Sequence, residues 1–74
     1  MFRVEIFAWV NGSGFSYNTT LDILEKYCTA EEYLKNLDAP IDCVNCDDIL
    51  VKIFGEDQNN TDEPLSEFWQ SNLN

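Results

Sequence analysis

The sequence predicts an α+β domain in which a small, mostly antiparallel sheet packs with about three helices. Two patterns predict the sheet: apolar residues alternate through residues 2–10, and an apolar run, ILVKIF, fills residues 49–54. A third pattern predicts the helices, because apolar residues recur at intervals of three and four in segments that follow a threonine. These patterns do not define the order of the strands.

The first predicted strand covers residues 2–10, and its two faces differ in character. One face is apolar at every position: Phe2, Val4, Ile6, Ala8 and Val10. The other face is half apolar, because Phe7 and Trp9 share it with two charged side chains. The segment NGSG at 11–14 is a turn signal, so FSYNT at 15–19 is predicted to return as a short second strand.

Two helices are predicted after this hairpin. Thr20 can cap a short helix over residues 21–28, whose apolar side is Leu21, Leu24, Tyr27 and Cys28. Thr29 begins a capping box, TAEE, in which Glu32 lies three residues further on. The second helix starts there and carries an apolar stripe at Ala30, Tyr33, Leu34 and Leu37. The segment Asp38-Ala39-Pro40 ends it.

A third strand and a last helix complete the predicted order. The strand covers residues 49–54 and ends at Gly55, and EDQNN at 56–60 is predicted to be a loop. Thr61 or Asp62 can then cap a helix whose apolar stripe is Leu65, Phe68, Trp69 and Leu73.

The whole chain, residues 1–74, is expected to form a single domain. With 74 residues and 45% hydrophobic composition it can bury one core but not two. Its apolar N-terminal segment is too short to cross a bilayer and lacks a cleavage pattern. The three cysteines are an odd number, so a reducing, cytoplasmic location with free thiols is expected.

The net charge of −10 is the main functional signal. It opposes direct contact with nucleic acid or anionic lipid, which carry the same sign, and it favours a basic partner. The charges of Arg3 and Glu5 cancel. The whole excess therefore comes from residues 21–74, which contain thirteen acids and three lysines. The segment EDQNNTDEPLSE at 56–67 alone holds five carboxylates and no base.

No metal or cofactor site is expected. Cys43 and Cys46 have the C-x-x-C spacing of zinc sites and redox dithiols, but structural zinc needs four ligands, and the chain adds only Cys28 and no histidine. The thiols are predicted to be small, half-buried side chains, and a metal or redox role for them stays open. A calcium loop counted from Asp57 fails, because its sixth and twelfth positions lack the required glycine and glutamate.

Catalysis is not expected either. The chain has no histidine for general acid–base chemistry or for activating a thiol, and it has no glycine-rich phosphate loop. Pairs of carboxylates occur, but fourteen acids in 74 residues make such pairs inevitable.

Uncompensated acids in the C-terminal half form the candidate partner-binding surface. Glu63 and Glu67 lie one turn apart on the predicted last helix, with no lysine nearby. Carboxylates at that spacing are about 5–6 Å apart, similar to the phosphates of a nucleic-acid strand, so a rigid array can occupy a Lys/Arg-lined groove. The predicted binding residues are Asp47, Asp48, Glu56, Asp57, Asp62, Glu63 and Glu67, with Trp9, Phe7 and Tyr17 as apolar anchors.

In size, acidity and lack of catalytic residues, the chain resembles phage-encoded inhibitors of host defence. The nearest group is the anti-CRISPR proteins, especially acidic ones that act on type I surveillance complexes, and phage anti-restriction DNA mimics are a neighbouring group. The resemblance covers the character of the whole chain and no motif, so it assigns no residue a role. It implies a stoichiometric inhibitor that blocks target-DNA binding by a crRNA-guided complex in the host cytoplasm.

The competing interpretation is a plain interaction module, such as an adaptor or an antitoxin-like protein, that binds through exposed aromatics. On this interpretation the acidity serves solubility only. The two interpretations differ in salt dependence, because binding through apolar surface survives high salt and tolerates charge reversal at Glu67 or Asp57.

Overall fold

The computed structural model describes residues 1–10, 15–37, 48–59 and 61–71. Within these ranges the chain forms four strands and one short helix, in the order β1 (Phe2–Val10), β2 (Phe15–Leu24), α1 (Ala30–Lys35), β3 (Asp48–Gly55) and β4 (Ser66–Ser71). The predicted turn at 11–14 and the C-x-x-C segment lie outside the described residues. The fold is therefore mostly β, and the prediction of about three helices is wrong.

The four strands form one sheet in the order β2-β1-β3-β4, and every neighbouring pair is antiparallel. The prediction of a small antiparallel sheet is thus confirmed, and so are the predicted strands at 2–10 and 49–54. β1 lies inside the sheet, where Phe2 is opposite Leu24 of β2 and Gly55 of β3. The first and third strands of the chain are therefore the central pair.

One face of this central pair is the core. The register places Val4, Ile6 and Ala8 opposite Ile53, Val51 and Ile49, and all six side chains are buried. The predicted alternation of β1 is correct, because these residues point to the same side of the sheet. Helix α1 covers this face through the buried Ala30, and Phe2, Leu24, Tyr33 and Leu34 pack around it.

Helix α1 begins at the predicted cap. The Thr29 Oγ1 accepts from the Glu32 amide at 3.2 Å and donates to the Glu32 carboxylate at 3.0 Å. The helix ends earlier than predicted, since Asn36 is its C-cap. The amide of Ala30 donates to Ser66 Oγ at 3.0 Å, which fastens the first turn to β4. A capped helix of only 6 residues is stable here because it packs on the sheet.

The helix predicted over 21–28 is wrong, because β2 continues to Leu24. Ile23 pairs with Arg3 and Asp22 pairs with Val4, and a β-bulge interrupts the register between Val4 and Glu5. A short isolated helix is marginal in water, whereas this segment gains ladder hydrogen bonds with β1 on both sides of the bulge. The pairing therefore outweighs the helical spacing of its leucines.

The helix predicted after Thr61 is also wrong, because residues 66–71 form the edge strand β4. The amide of Leu65 donates to the carbonyl of Ile53 at 2.8 Å and starts the pairing with β3. Phe68 is then opposite Val51 on the core side, whereas Trp69 is opposite Leu50 on the other side. The predicted apolar stripe is thus divided between the two faces of the sheet.

A hydrogen bond joins α1 to β2 at the edge of the core. The Tyr33 hydroxyl donates to Asp22 Oδ2 at 3.1 Å. Burial of the ring, followed by the hydrogen bond to this carboxylate and its negative charge, raises the pKa of Tyr33 to about 12. The fold therefore favours the neutral phenol over the phenolate.

We expect Ile53→Ala to lower the free energy of unfolding by about 2–5 kcal/mol, because it opens a cavity between the sheet and α1. The matched control is Ile23→Ala on the edge strand, since Ile23 is 49% exposed and Ile53 is 0% exposed. The control is expected to cost about 1 kcal/mol or less. Urea denaturation followed by circular dichroism measures both, and equal losses would contradict the described core.

The contribution of Tyr33 to the free energy of unfolding is expected to be constant below about pH 10. It should fall as the pH rises from there toward the raised pKa of Tyr33, which is about 12. The sign follows because the folded state holds the phenol proton more tightly than the unfolded state. Asp22→Asn removes the negative charge beside the hydroxyl and is expected to lower the pKa of Tyr33. This pKa is measured from the ¹³Cζ chemical shift of Tyr33 as a function of pH. Asp57→Asn, with the same charge change, should leave the midpoint in place, and an unmoved midpoint in the Asp22 variant would refute the assignment.

Candidate functional site

Four of the predicted binding carboxylates come together in the connection between β3 and β4. This acidic loop is residues 56–63, of which Asn60 lies outside the described residues. Its carboxylates are all exposed: Glu56, Asp57, Asp62 and Glu63. The loop adjoins Gly55, which is opposite Phe2, so the N-terminus of β1 lies beside it.

Arg3 fixes the backbone of the acidic loop. Its Nη1 donates to the carbonyl oxygens of Gly55 at 3.1 Å and Glu56 at 3.4 Å, and its Nη2 donates to the carbonyl of Gln58. The guanidinium also lies 5.4 Å from the centroid of the buried Phe54 ring. Arginine suits this role, because its planar fork can serve several acceptors at once.

Hydrogen bonds within the loop complete its structure. Gln58 Oε1 accepts from the Gly55 amide at 2.8 Å, and its Nε2 donates to the Glu63 carbonyl at 3.0 Å. Asp62 Oδ2 accepts from the Asn59 amide at 2.8 Å, and the Asp62 amide donates to the Asn59 carbonyl at 3.0 Å. Asp62 thus closes a turn and does not cap a helix. These contacts give the loop a defined conformation.

Little positive charge is paired with the carboxylates of the loop. The N-terminal ammonium of Met1 lies 3.2 Å from Glu56 Oε2, and both groups are exposed, so their attraction is weak. Among the residues that the structure describes, the other ion pair is Lys35 with Glu31 on α1. The Arg3 guanidinium binds carbonyl oxygens, so the loop keeps an outward-facing negative charge.

The remaining predicted binding residues do not join the acidic loop. Asp48 begins β3 at the far end of the strand, and Glu67 lies on β4 opposite Lys52. Asp47 lies outside the described residues. The expected spacing of one helical turn between Glu63 and Glu67 is wrong, because Glu67 is in a strand. Four of the seven predicted carboxylates therefore form one cluster, and the helical array does not exist.

The face of the sheet opposite α1 carries a second candidate surface, the aromatic face: Phe7, Trp9, Leu50 and Trp69. The rings of Trp9 and Trp69 stack with centroids 5.3 Å apart and an interplanar angle of 30°. They come from β1 and β4, which flank β3, so they meet above that strand. Leu50 of β3 is only 6% exposed, whereas Trp69 is 56% exposed.

Charged side chains of both signs border the aromatic face. Lys52 Nζ lies 4.7 Å from the centroid of the Phe7 ring, a cation–π contact. Glu67 is the cross-strand neighbour of Lys52. Glu5 is buried on the same side of the sheet and accepts a hydrogen bond from the Thr20 hydroxyl.

Sequence reasoning identified part of the aromatic face. It placed Phe7 and Trp9 on the second face of β1, which the register confirms. It missed Trp69 because that residue was assigned to a helix, and it missed Leu50 because a continuous apolar run does not show which side chains share a face. The proposed third anchor, Tyr17, is in β2, but its side chain lies outside what the structure describes.

The described residues show no group of three His, Cys, Asp or Glu side chains that could hold a metal ion. Cys28 is a half-buried free thiol, and burial, followed by the charge of Glu32, raises its pKa. Cys43 and Cys46 lie outside the described residues. In the same part of the chain, no helix has the length and apolar character needed to cross a membrane.

We expect Arg3→Lys to loosen the acidic loop, because lysine keeps the charge but loses the fork that holds several carbonyls. Amide hydrogen exchange measured by NMR should become at least about tenfold faster at Gly55 and Asn59. The amides of the β1–β3 ladder are the internal control and should change less. An equal change in loop and ladder would show that Arg3 acts on global stability alone.

Comparison with protein-family models, with curated proteins and with solved structures finds no match for this chain. The acidic loop and the aromatic face are therefore interpreted from their own geometry and chemistry.

Proposed function

We propose that this protein is a stoichiometric, non-enzymatic inhibitor whose acidic loop occupies a Lys/Arg-lined groove of a nucleic-acid-binding partner. The observation that carries the proposal is the fixed backbone of the loop, which Arg3 holds through three carbonyl oxygens while four carboxylates stay exposed. A groove built for phosphates binds negative charge that is held in place, and it releases its own counterions when it does so.

A defined loop is a better decoy than a mobile acidic tail. Ordering a flexible segment at an interface costs about 0.5–1.5 kcal/mol for each rotamer-rich side chain, in addition to the backbone cost. The hydrogen bonds of Gln58 and Asp62 already order the backbone of this loop. The net charge of −10 adds long-range attraction to a basic partner and raises the association rate.

The partner class follows from the resemblance to anti-CRISPR proteins. A type I surveillance complex presents a basic groove for target DNA, and an inhibitor of this class acts on it in the host cytoplasm. On the present fold, the loop carboxylates are the central binding set: Glu56, Asp57, Asp62 and Glu63. Asp48 and Glu67 lie on strands outside the loop, so we assign them a lesser, long-range contribution.

A second candidate function is favoured by the stacked pair of Trp9 and Trp69. An exposed tryptophan beside a buried leucine is the kind of anchor that dominates protein–protein affinity. In an adaptor or antitoxin-like module, the aromatic face would bind a partner and the acids would maintain solubility. Trp69→Ala would then abolish binding, and high salt would not.

We expect the double reversal Asp57→Lys and Glu63→Lys to weaken inhibition at least about tenfold, because it places lysines against a basic groove. Both side chains are exposed, and the side-chain hydrogen bonds that shape the described part of the loop come from Gln58 and Asp62 instead. The assay is competition with fluorescent target DNA for a purified type I crRNA-guided complex, at several salt concentrations. For the double-reversal variant, the binding constant should also depend less steeply on salt concentration when both are plotted on logarithmic scales.

The matched control is Glu25→Lys with Glu31→Lys, which changes the net charge equally at residues outside the acidic loop, one after β2 and one on α1. It should retain most of the inhibition. If both pairs weaken inhibition equally, only total charge matters. If the loop reversal inhibits as well as the unaltered protein, the decoy function is wrong, and loss of inhibition by Trp69→Ala alone would identify the adaptor function.

A further inference from the structure

Aromatic rings on the side of the sheet opposite α1 are paired with cations at one end and not at the other. The Arg3 guanidinium lies 5.4 Å from the centroid of Phe54, and Lys52 Nζ lies 4.7 Å from the centroid of Phe7. Among the described residues, the stacked tryptophans on the same side have no such contact. Tryptophan is the aromatic side chain that attracts a cation most strongly. The best cation-binding rings of this side are therefore left open.

The chain has no basic side chain that could fill this position. Of its four bases, Arg3 and Lys52 lie over other rings, and Lys35 is on α1, which covers the opposite face. Lys26 follows β2, whose last residue pairs with the start of β1, whereas Trp9 is seven residues from that start, or about 23 Å. A cation at the tryptophan pair must therefore come from another molecule.

A carboxylate lies beside the two tryptophans. Asp48 of β3 is directly opposite Trp9, and residues in such pairs have Cβ atoms about 4.5–5.5 Å apart. Trp69 is the diagonal neighbour of Asp48, because it is opposite Leu50, two residues further along β3. Asp48 is half-buried, and the ion pairs between described residues do not include it. An aromatic surface and a carboxylate thus border the same point.

The other charges on this side of the sheet are already engaged. Its described strand residues include three acids and two bases: Glu5, Asp48, Glu67, Arg3 and Lys52. Arg3 is bound to carbonyl oxygens of the acidic loop, and Lys52 lies between its cross-strand neighbours Glu5 and Glu67. Asp48 is the carboxylate that remains for an external cation, and the net charge of −10 attracts cationic partners and repels anionic ones.

We propose that the exposed surface of the Trp9–Trp69 pair, together with Asp48, binds an arginine side chain of a protein partner. A guanidinium is planar and weakly hydrated, so it stacks on an indole while its N–H groups donate to a carboxylate. The compact, strongly hydrated ammonium of lysine fits this combination less well. Trp69 is 56% exposed and is oriented by its stacking on Trp9, so the site is open and preformed.

The arginine site and the acidic loop lie toward opposite ends of β3. Asp48 begins the strand and Gly55 ends it, a separation of seven residues or about 23 Å. An arginine-rich partner can contact both surfaces, but neither contact requires the other. The arginine site therefore does not depend on the proposed function and can be tested by itself.

The test is an NMR titration of the ¹⁵N-labelled full chain with two peptides of equal charge. Both are acetylated and amidated glycine pentapeptides, one with a central arginine and the other with a central lysine. We expect the arginine peptide to shift the indole Nε1–H signals of Trp9 and Trp69 and to bind at least about threefold more tightly than the lysine peptide. Because the charges are equal, the difference measures recognition of the guanidinium and not general attraction to an acidic chain.

Three variants locate the site. Trp69→Leu keeps an apolar side chain without a ring and should remove the preference for arginine. Asp48→Asn should raise the dissociation constant of the arginine peptide at least about threefold, and it tests the site separately if Trp69→Leu does not fold. Asp57→Asn, in the acidic loop, makes the same charge change and should retain the preference. Circular dichroism checks that each variant is folded.

Equal affinities for the two peptides, or shifts confined to the acidic loop, would overturn the proposal. A preference that survives both Trp69→Leu and Asp48→Asn would do the same, since the arginine would then bind elsewhere. Indole signals that shift when the protein alone is diluted would assign the face to a second copy of the chain instead. The samples contain no nucleic-acid-binding complex, so none of these results bears on the acidic loop as a decoy.

Discussion

The pairing of β1 with β3 is the constraint on which the rest of the structure depends. Its register places three aliphatic side chains of each strand on the side covered by α1. The same register puts Phe2 opposite Gly55, which brings Arg3 to the acidic loop, and puts Phe7 opposite Leu50 on the aromatic face. A slip by one residue would exchange the faces of one strand, bury charge and separate Arg3 from its carbonyls. The core and both candidate surfaces therefore follow from one ladder of hydrogen bonds.

Local patterns in the sequence predict the elements whose signals are complete within a few residues. The alternation of β1, the apolar run of β3 and the capping box at Thr29 are of this kind, and all three are found. β2 beyond Thr20 and β4 are different, because their apolar residues also fit a helical spacing. They become strands through pairing with β1 and β3, which are distant in the sequence, and a local pattern contains no information about that pairing.

The candidate site was likewise predictable only in part, because some of its features depend on residues that are distant in the sequence. Composition alone indicates that acids after residue 55 are uncompensated, and four of them do lie in one loop. Their fixed arrangement depends on Arg3, more than fifty positions earlier, and no spacing rule connects that residue to the carbonyl of Gln58. The aromatic face likewise joins residues from three strands. The alternation of β1 predicts that Phe7 and Trp9 share this face. Leu50 and Trp69 can be assigned to it only when the strand order and register are known.

The stack of Trp9 on Trp69 contains both tryptophans of the chain. All indole emission therefore comes from one place, where side chains of β1 and β4 meet over β3. Two indole rings whose centroids are 5.3 Å apart also couple their excited states, so the pair gives a circular-dichroism signal that neither ring has alone. The protein thus carries an intrinsic optical reporter of the packing of β4 beside β3, which brings Trp69 onto Trp9. It registers detachment of β4 even while β1, β2 and β3 remain paired.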